Sequence, residues 1–150
     1  MFSILFYLCK FVSKLYDYAV KAAVTHPLTG KKIGAYYGCL LLRPSREMQF
    51  DDPENPKMLE DFIRAIGAEP VLYAQRNECC GGYMAVENRS YAAKQAQKIM
   101  DNAKAQGAEL LITACPLCSY NLLHNTDGAL PVVYFTELLA EALGCGEEDA

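Results

Sequence analysis

From residue 31 onward, apolar positions alternate between short runs and helical stripes. The stretch "KKIGAYYGCLLL" (31–42) holds a short β-rich run ending near Cys39. In "DDPENPKMLEDFIRAIG", Met58, Leu59, Phe62, Ile63 and Ile66 recur at the spacing of one helix face. Asn55 is suited to cap that helix, with Pro56 in its first turn and Gly67 as its stop in the left-handed conformation. "PVLY" (70–73) predicts a second strand. A long helical pattern runs from about Val86 to Gln106, with Ala92, Ala96, Ile99, Met100 and Ala103 on one side and Gly107 as the stop. "LLITAC" (110–115) predicts a third strand ending on Cys115, "PVVYF" (131–135) a fourth, and "TELLAEALG" a closing helix.

Two stretches echo one another. "IGAEPVLY" and "QGAELLIT" share the order helix stop, Gly-Ala-Glu, strand, so the same helix-to-strand return is used twice. Strands alternating with helices predict an α/β domain: an open, mostly parallel sheet of about four strands, helices on both faces. The expected organisation is an N-terminal amphipathic helical segment (1–26), the α/β domain (27–144) and an acidic tail (145–150). In the first segment Leu5, Leu8, Phe11, Val12, Leu15 and Tyr16 recur at helical spacing. The apolar run "MFSILFYLC" is broken by Lys10 and Lys14, short of the ~20 residues of a membrane-spanning helix. No basic region precedes it, so neither a transmembrane helix nor a signal peptide is expected.

Composition narrows the function classes. With 52% hydrophobic and 21% charged residues the 150-residue chain is globular, and its net charge of -4 argues against a nucleic-acid partner. Seven cysteines is a high and odd count, and four of them sit in two tight pairs. That pattern suits thiols kept for metal or redox work in a reducing cytoplasm better than a secreted disulfide scaffold.

Placed on the predicted elements, five cysteines converge. Cys39 ends the first strand, Cys79 and Cys80 lie beyond the second, Cys115 ends the third, and Cys118 is one helical turn further on. The carboxyl ends of parallel strands form one rim, where ligands bind. Pro116 takes the first position of a helix whose positive end favours thiolate at Cys115 and Cys118. Gly81 and Gly82 leave backbone amides free to approach sulfur. Arg43, Arg46 and Arg76 are near enough in sequence to offset thiolate charge, although each alone reads as a solvated surface residue. Tyr36, Tyr37 and Tyr83 flank the cysteines and either seal the site or pack the core. His124 reads as a solvent-facing or supporting group, and His26 as a surface residue. Cys9 reads as a small buried apolar residue and Cys145 as an exposed tail thiol. Asp51, Asp52 and Glu54 read as a capping and turn cluster. No phosphate-cradling glycine loop is present, so no nucleotide cofactor is expected.

Five thiolates exceed the four that a structural zinc ion takes, and soft thiolates also select iron–sulfur clusters. A lone C-x-x-C fits a thioredoxin-like dithiol equally well. The combination C-x39-C-C-G-x33-C-P-x-C on strand ends is far more specific.

On "YYGCLLLRP" (36–44), "ECCGG" (78–82), "GAELLITACPLCSYNL" (107–122) and "PVVYFTELLAEALG" (131–144), the chain resembles the cysteine-rich CCG domain found in the B subunits of CoB–CoM heterodisulfide reductases, in their C-terminal half. The resemblance implies a non-cubane 4Fe–4S cluster, with zinc as the alternative, ligated by Cys39, Cys79, Cys80, Cys115 and Cys118. It further implies Cys79 and Cys80 as the catalytic pair, and reduction of a small-molecule disulfide between two thiol coenzymes. The partners implied are a ferredoxin-like iron–sulfur subunit and a flavin subunit, or a second CCG domain. Members of that family usually carry two such motifs in tandem, and this chain carries one. Related CCG modules occur in other dehydrogenase complexes, and the alternative expectations are an electron relay without substrate chemistry or a zinc-binding domain used for assembly.

Overall fold

The chain leaves its first strand in one direction along the sheet and later returns past it in the other. A computed structural model of the protein describes residues 18–145. Within them, β1 (Lys32–Tyr36), β2 (Glu69–Val71), β3 (Leu110–Thr113) and β4 (Val132–Tyr134) form a sheet in the order β2-β1-β3-β4. Every pairing is parallel, with Ile33 opposite both Pro70 and Leu110, and Leu111 opposite Val132. The order reverses between β1 and β3, which is where open parallel sheets of this kind present a ligand crevice. The connecting helices are α1 (Ser45–Met48), α2 (Met58–Ala65), α3 (Arg89–Ala105), α4 (Pro116–His124) and α5 (Phe135–Ala142).

Two apolar layers enclose the sheet, because successive strand side chains point to opposite faces. Ile33, Ala35, Tyr37 and Ile112 pack on one face with α2 and α5, where the Phe62 and Phe135 rings meet edge-on. Tyr36, Val71, Leu111 and Val132 pack on the other with α3 and α4. The buried residues of α3 are the five read from periodicity: Ala92, Ala96, Ile99, Met100 and Ala103. The Gly-Ala-Glu echo is one motif used on both sides of β1. Gly67 and Gly107 take φ of 85° and 90°. The next amides reach back to Ile63 O at 3.0 Å and Ala103 O at 3.1 Å. The amides of Glu69 and Glu109 then donate to the Lys31 and Lys32 carbonyls, at 3.0 and 2.8 Å, and start β2 and β3.

Several boundaries differ from the sequence reading. β1 ends at Tyr36, because Gly38 turns the chain at φ 66°, so Cys39 lies in the loop beyond the strand. β3 ends at Thr113, and Cys115 is the N-cap residue of α4. Asn55 does not cap α2. The Asp51 carboxylate does, accepting the amides of Lys57 and Met58 at 2.6 and 2.7 Å, while Asn55 Oδ1 accepts from Arg76. α3 starts at Arg89 rather than near Val86, since Asn88 caps it by accepting the Tyr91 amide at 3.0 Å. Residues 18–23 are helical, and the apolar stripe of Leu5, Leu8, Val12 and Leu15 lies outside the described residues, as do Cys9 and most of the acidic tail. Among the described residues no helix is long and apolar enough to cross a membrane.

Gly34 marks how tightly β1 is held. A Cβ there would stand 2.5 Å from Leu111 Cδ2 and 3.2 Å from Tyr73 Cε1, both on buried side chains. Gly34→Ala is therefore expected to cost about 1–3 kcal/mol through overpacking. Chemical denaturation measures it, and an unchanged midpoint would show slack in this layer.

Candidate functional site

All five expected cysteines follow the carboxyl ends of β1, β2 and β3, brought there by three different loops. Cys80 and Cys118 are buried, Cys39 and Cys115 are half-buried, and Cys79 is exposed. The Cys80 and Cys118 sulfurs lie 3.6 Å apart, joining the doublet loop to the first turn of α4. That is too long for a disulfide and close to the edge of a tetrahedron of thiolates, about 3.8 Å for metal–sulfur bonds of about 2.3 Å. Cys79 neighbours Cys39, and Cys115 neighbours Cys118. Among the described residues, no three Cys, His, Asp or Glu side chains are drawn around a point where a single metal ion would sit.

The glycines do what the doublet needs. The amides of Gly81 and Gly82 face Cys79 Sγ and Cys80 Sγ, each at 3.4 Å. Gly81, at φ 74°, turns the chain into a 3-10 turn at Gly82–Met84, which points these amides back at the preceding sulfurs. Gly38 lets the β1 loop close over the site, because a Cβ there would stand 2.9 Å from Cys118 Sγ.

Electrostatics separate the thiols. The Cys118 thiol, the Gly82 amide and the side chains of Asn121 and Tyr36 push Cys80 down to about 6, against the cost of burial. Of the pair, Cys80 is therefore the one favoured as thiolate, the form that binds soft metals and attacks disulfides. Its partner Cys118 is pushed up by that same contact and by burial. Burial and the Cys79 thiol push Cys39 up to about 11.

Two supporting residues escaped the sequence reading. Asn121 is buried on α4 and donates to the Cys80 carbonyl at 2.7 Å, with its own carbonyl oxygen fixed by Asn125 at 2.7 Å. Its signal was a polar residue three positions after Cys118, on the same helix face. Buried Thr113 Oγ1 accepts the Cys115 amide at 3.3 Å, where the strand gives way to α4.

Other candidates are placed elsewhere. Arg43 donates to the carbonyls of Asn77 and Pro53 and pairs with Glu54, and half-buried Arg76 pairs with Glu60. Both arginines tie loops together; the Arg43 side chain remains 40% exposed, as expected of a surface charge, while that of Arg76 is mostly buried. Arg46 is exposed on α1. Tyr36 and Tyr37 are buried, Tyr36 donating to the Glu78 carbonyl at 2.8 Å. Tyr83 is 66% exposed and seals nothing. His124 is exposed and stacks on Tyr120, and Cys145 is exposed as expected. Asp51 and Asp52 act as caps and turn formers.

Several known proteins are similar to the chain over most of its length. It is 31% identical over 134 residues to the 8-methylmenaquinol:fumarate reductase membrane anchor subunit of Wolinella succinogenes, covering 83% of this chain and 47% of that protein. It is 30% identical over 137 residues to the B subunit of the ferredoxin:CoB-CoM heterodisulfide reductase of Methanosarcina mazei, covering 83% and 45%. A protein of Archaeoglobus profundus that is like the heterodisulfide reductase B subunit is 28% identical over 142 residues, covering 86% and 48%. The chain spans about half the length of the curated relatives it matches. The family profile matches residues 33–123, from the start of β1 to the last turn of α4, and the chain belongs to the CCG cysteine-rich domain family.

Proposed function

We propose that the chain is an iron–sulfur redox module in which Cys39, Cys79, Cys80, Cys115 and Cys118 hold a non-cubane 4Fe–4S cluster. In this reading it serves a reductase that splits a thiol-coenzyme heterodisulfide of the CoB–CoM type. The observation that carries it is the gathering of five thiols from three loops at one sheet edge, around a sulfur pair 3.6 Å apart. Five soft donors exceed what one zinc ion uses, and the amides of Gly81 and Gly82 offset thiolate charge without adding a competing ligand. A bound cluster would supply one-electron steps and soft iron for substrate sulfur. The protein's part is to hold the thiolates, keep Cys80 and Cys118 from water, and leave Cys79 and the rim open to substrate. The overall reaction takes two electrons and two protons per disulfide and releases two thiols, with exposed Cys79 at the reacting edge and Cys80 buried beside it.

The electrons in this reading come from a ferredoxin-like iron–sulfur subunit fed by a flavin subunit, and a second CCG domain is the other candidate to cover the rim. Leu40, Tyr83, Met84 and Val86 stand exposed in the segments that carry Cys39 and the doublet, which supports such a cover. A second reading, an electron relay without substrate chemistry, is favoured by the fumarate reductase relative.

Anaerobic purification tests the cofactor. The expected product is brown protein with about four iron and four sulfide per chain. Colourless protein with a single zinc would overturn the iron–sulfur reading in favour of an assembly domain. Adding a heterodisulfide to the reduced protein then separates the other two. Stoichiometric thiol release supports the reductase, and electron transfer to a partner without thiol release supports the relay.

A further inference from the structure

Away from the thiols, a carboxylate is buried beside the apolar face of α2. Glu60 lies on α2 and is 1% exposed. One of its oxygens accepts from the Tyr37 hydroxyl, which itself accepts the Leu59 amide at 2.8 Å. The other oxygen faces Arg76 Nε at 3.1 Å, and the Arg76 side chain is 13% exposed. That contact is an ion pair without hydrogen-bond geometry; Arg76 donates instead to the Tyr73 carbonyl at 3.2 Å and to Asn55 at 2.8 Å, and its carbonyl accepts the Tyr37 amide at 2.8 Å. Tyr37 stands two residues before Cys39, and Arg76 three before Cys79. One buried charge therefore touches the roots of both loops.

We propose that Glu60 is a positioning residue, fixing the Cys39 loop through Tyr37 and the Cys79–Cys80 loop through Arg76. The physical ground is that a buried charge tolerates few alternatives. With Arg76 nearly buried, removing its counter-charge leaves a cation that must find water, and the segment that carries it moves as well. Burial pushes the Glu60 carboxyl up, while Tyr37 and Arg76 pull it back, so the three groups hold one another. Cys115 is held separately, at the junction of β3 and α4, whereas Cys118 shares its contact with Cys80. None of this depends on which group the thiols bind.

The test is site-resolved alkylation of the full chain carrying Cys9→Ser and Cys145→Ser, reduced and metal-free, read by mass spectrometry. In Glu60→Gln, buried Cys80 and half-buried Cys39 should react about tenfold faster, while Cys79, already exposed, and Cys115, held by β3 and α4, stay near their original rates. The double variant Glu60→Gln, Arg76→Gln removes the unpaired cation as well. It should recover most of the lost melting temperature and keep the selective acceleration, and it carries the test if the single variant does not fold. Equal acceleration of all five thiols, no acceleration, or return of the original pattern in the double variant would each overturn the proposal.

Discussion

If the five cysteines hold the proposed cluster, Cys80→Ser should abolish metal binding. Cys80 is the buried thiol most favoured as thiolate, in contact with Cys118 and bonded by the Gly82 amide. Serine keeps the shape but offers a hard, protonated oxygen that soft metals refuse. The loss should exceed the roughly 10–100-fold fall in affinity that removal of a mere supporting group causes. Iron content, sulfide content and visible absorbance of anaerobically prepared protein measure it. Cys79→Ser should also fail to assemble the site, although Cys79 is the exposed member of the doublet. Cys145→Ser should leave the absorbance unchanged. If both doublet variants bind metal normally, the pair is structural or a redox couple with only Cys79 exposed, and the ligand set proposed above is wrong.

Gly38→Ala should damage the same site without touching a cysteine. The residue sits at φ 66°, where a side chain costs about 1–2 kcal/mol. Its Cβ would also press to 2.9 Å of the Cys118 sulfur, which is buried and cannot swing clear. The variant is therefore expected to lose about 2–3 kcal/mol, lowering the melting temperature by roughly 5–10 °C. It should also hold metal at least tenfold more weakly, in line with misplaced supporting groups elsewhere, about 10–100-fold. Gly128→Ala is the control. Its φ is 70° but a Cβ would meet nothing within 4 Å, so it carries the backbone cost alone. Equal behaviour of the two variants would mean that contact with Cys118 does not matter.

The importance of the doublet is legible in "ECCGG" alone, because adjacent thiols and the amides after them are covalent neighbours. The importance of Gly38 is not, since nothing local says that Cys118 will lie against it.

The same division runs through the molecule. Chain-local spacing suffices for the faces of α2 and α3, the glycine stops at Gly67 and Gly107, the alternating strand–helix order and the cysteines' place after the strands. Each follows from residues a few positions apart, which backbone geometry converts directly into a face or a turn. Whatever depends on which loops meet had to wait for the packed sheet. The order β2-β1-β3-β4 sets the doublet loop and α4 beside the β1 loop, so Cys118 contacts Cys80 of a distant segment as well as neighbouring Cys115 of its own C-x-x-C. Packing buried Glu60 beside the apolar stripe of α2, because Tyr37 and Arg76 arrive there from two other segments. It gave the α2 cap to Asp51 rather than Asn55, linked Arg43 to the neighbouring loop carbonyls, and drew Arg76 from the surface into a mostly buried ion pair. A polar side chain takes the partner that packing brings nearest, and that partner is invisible until the sheet order is known.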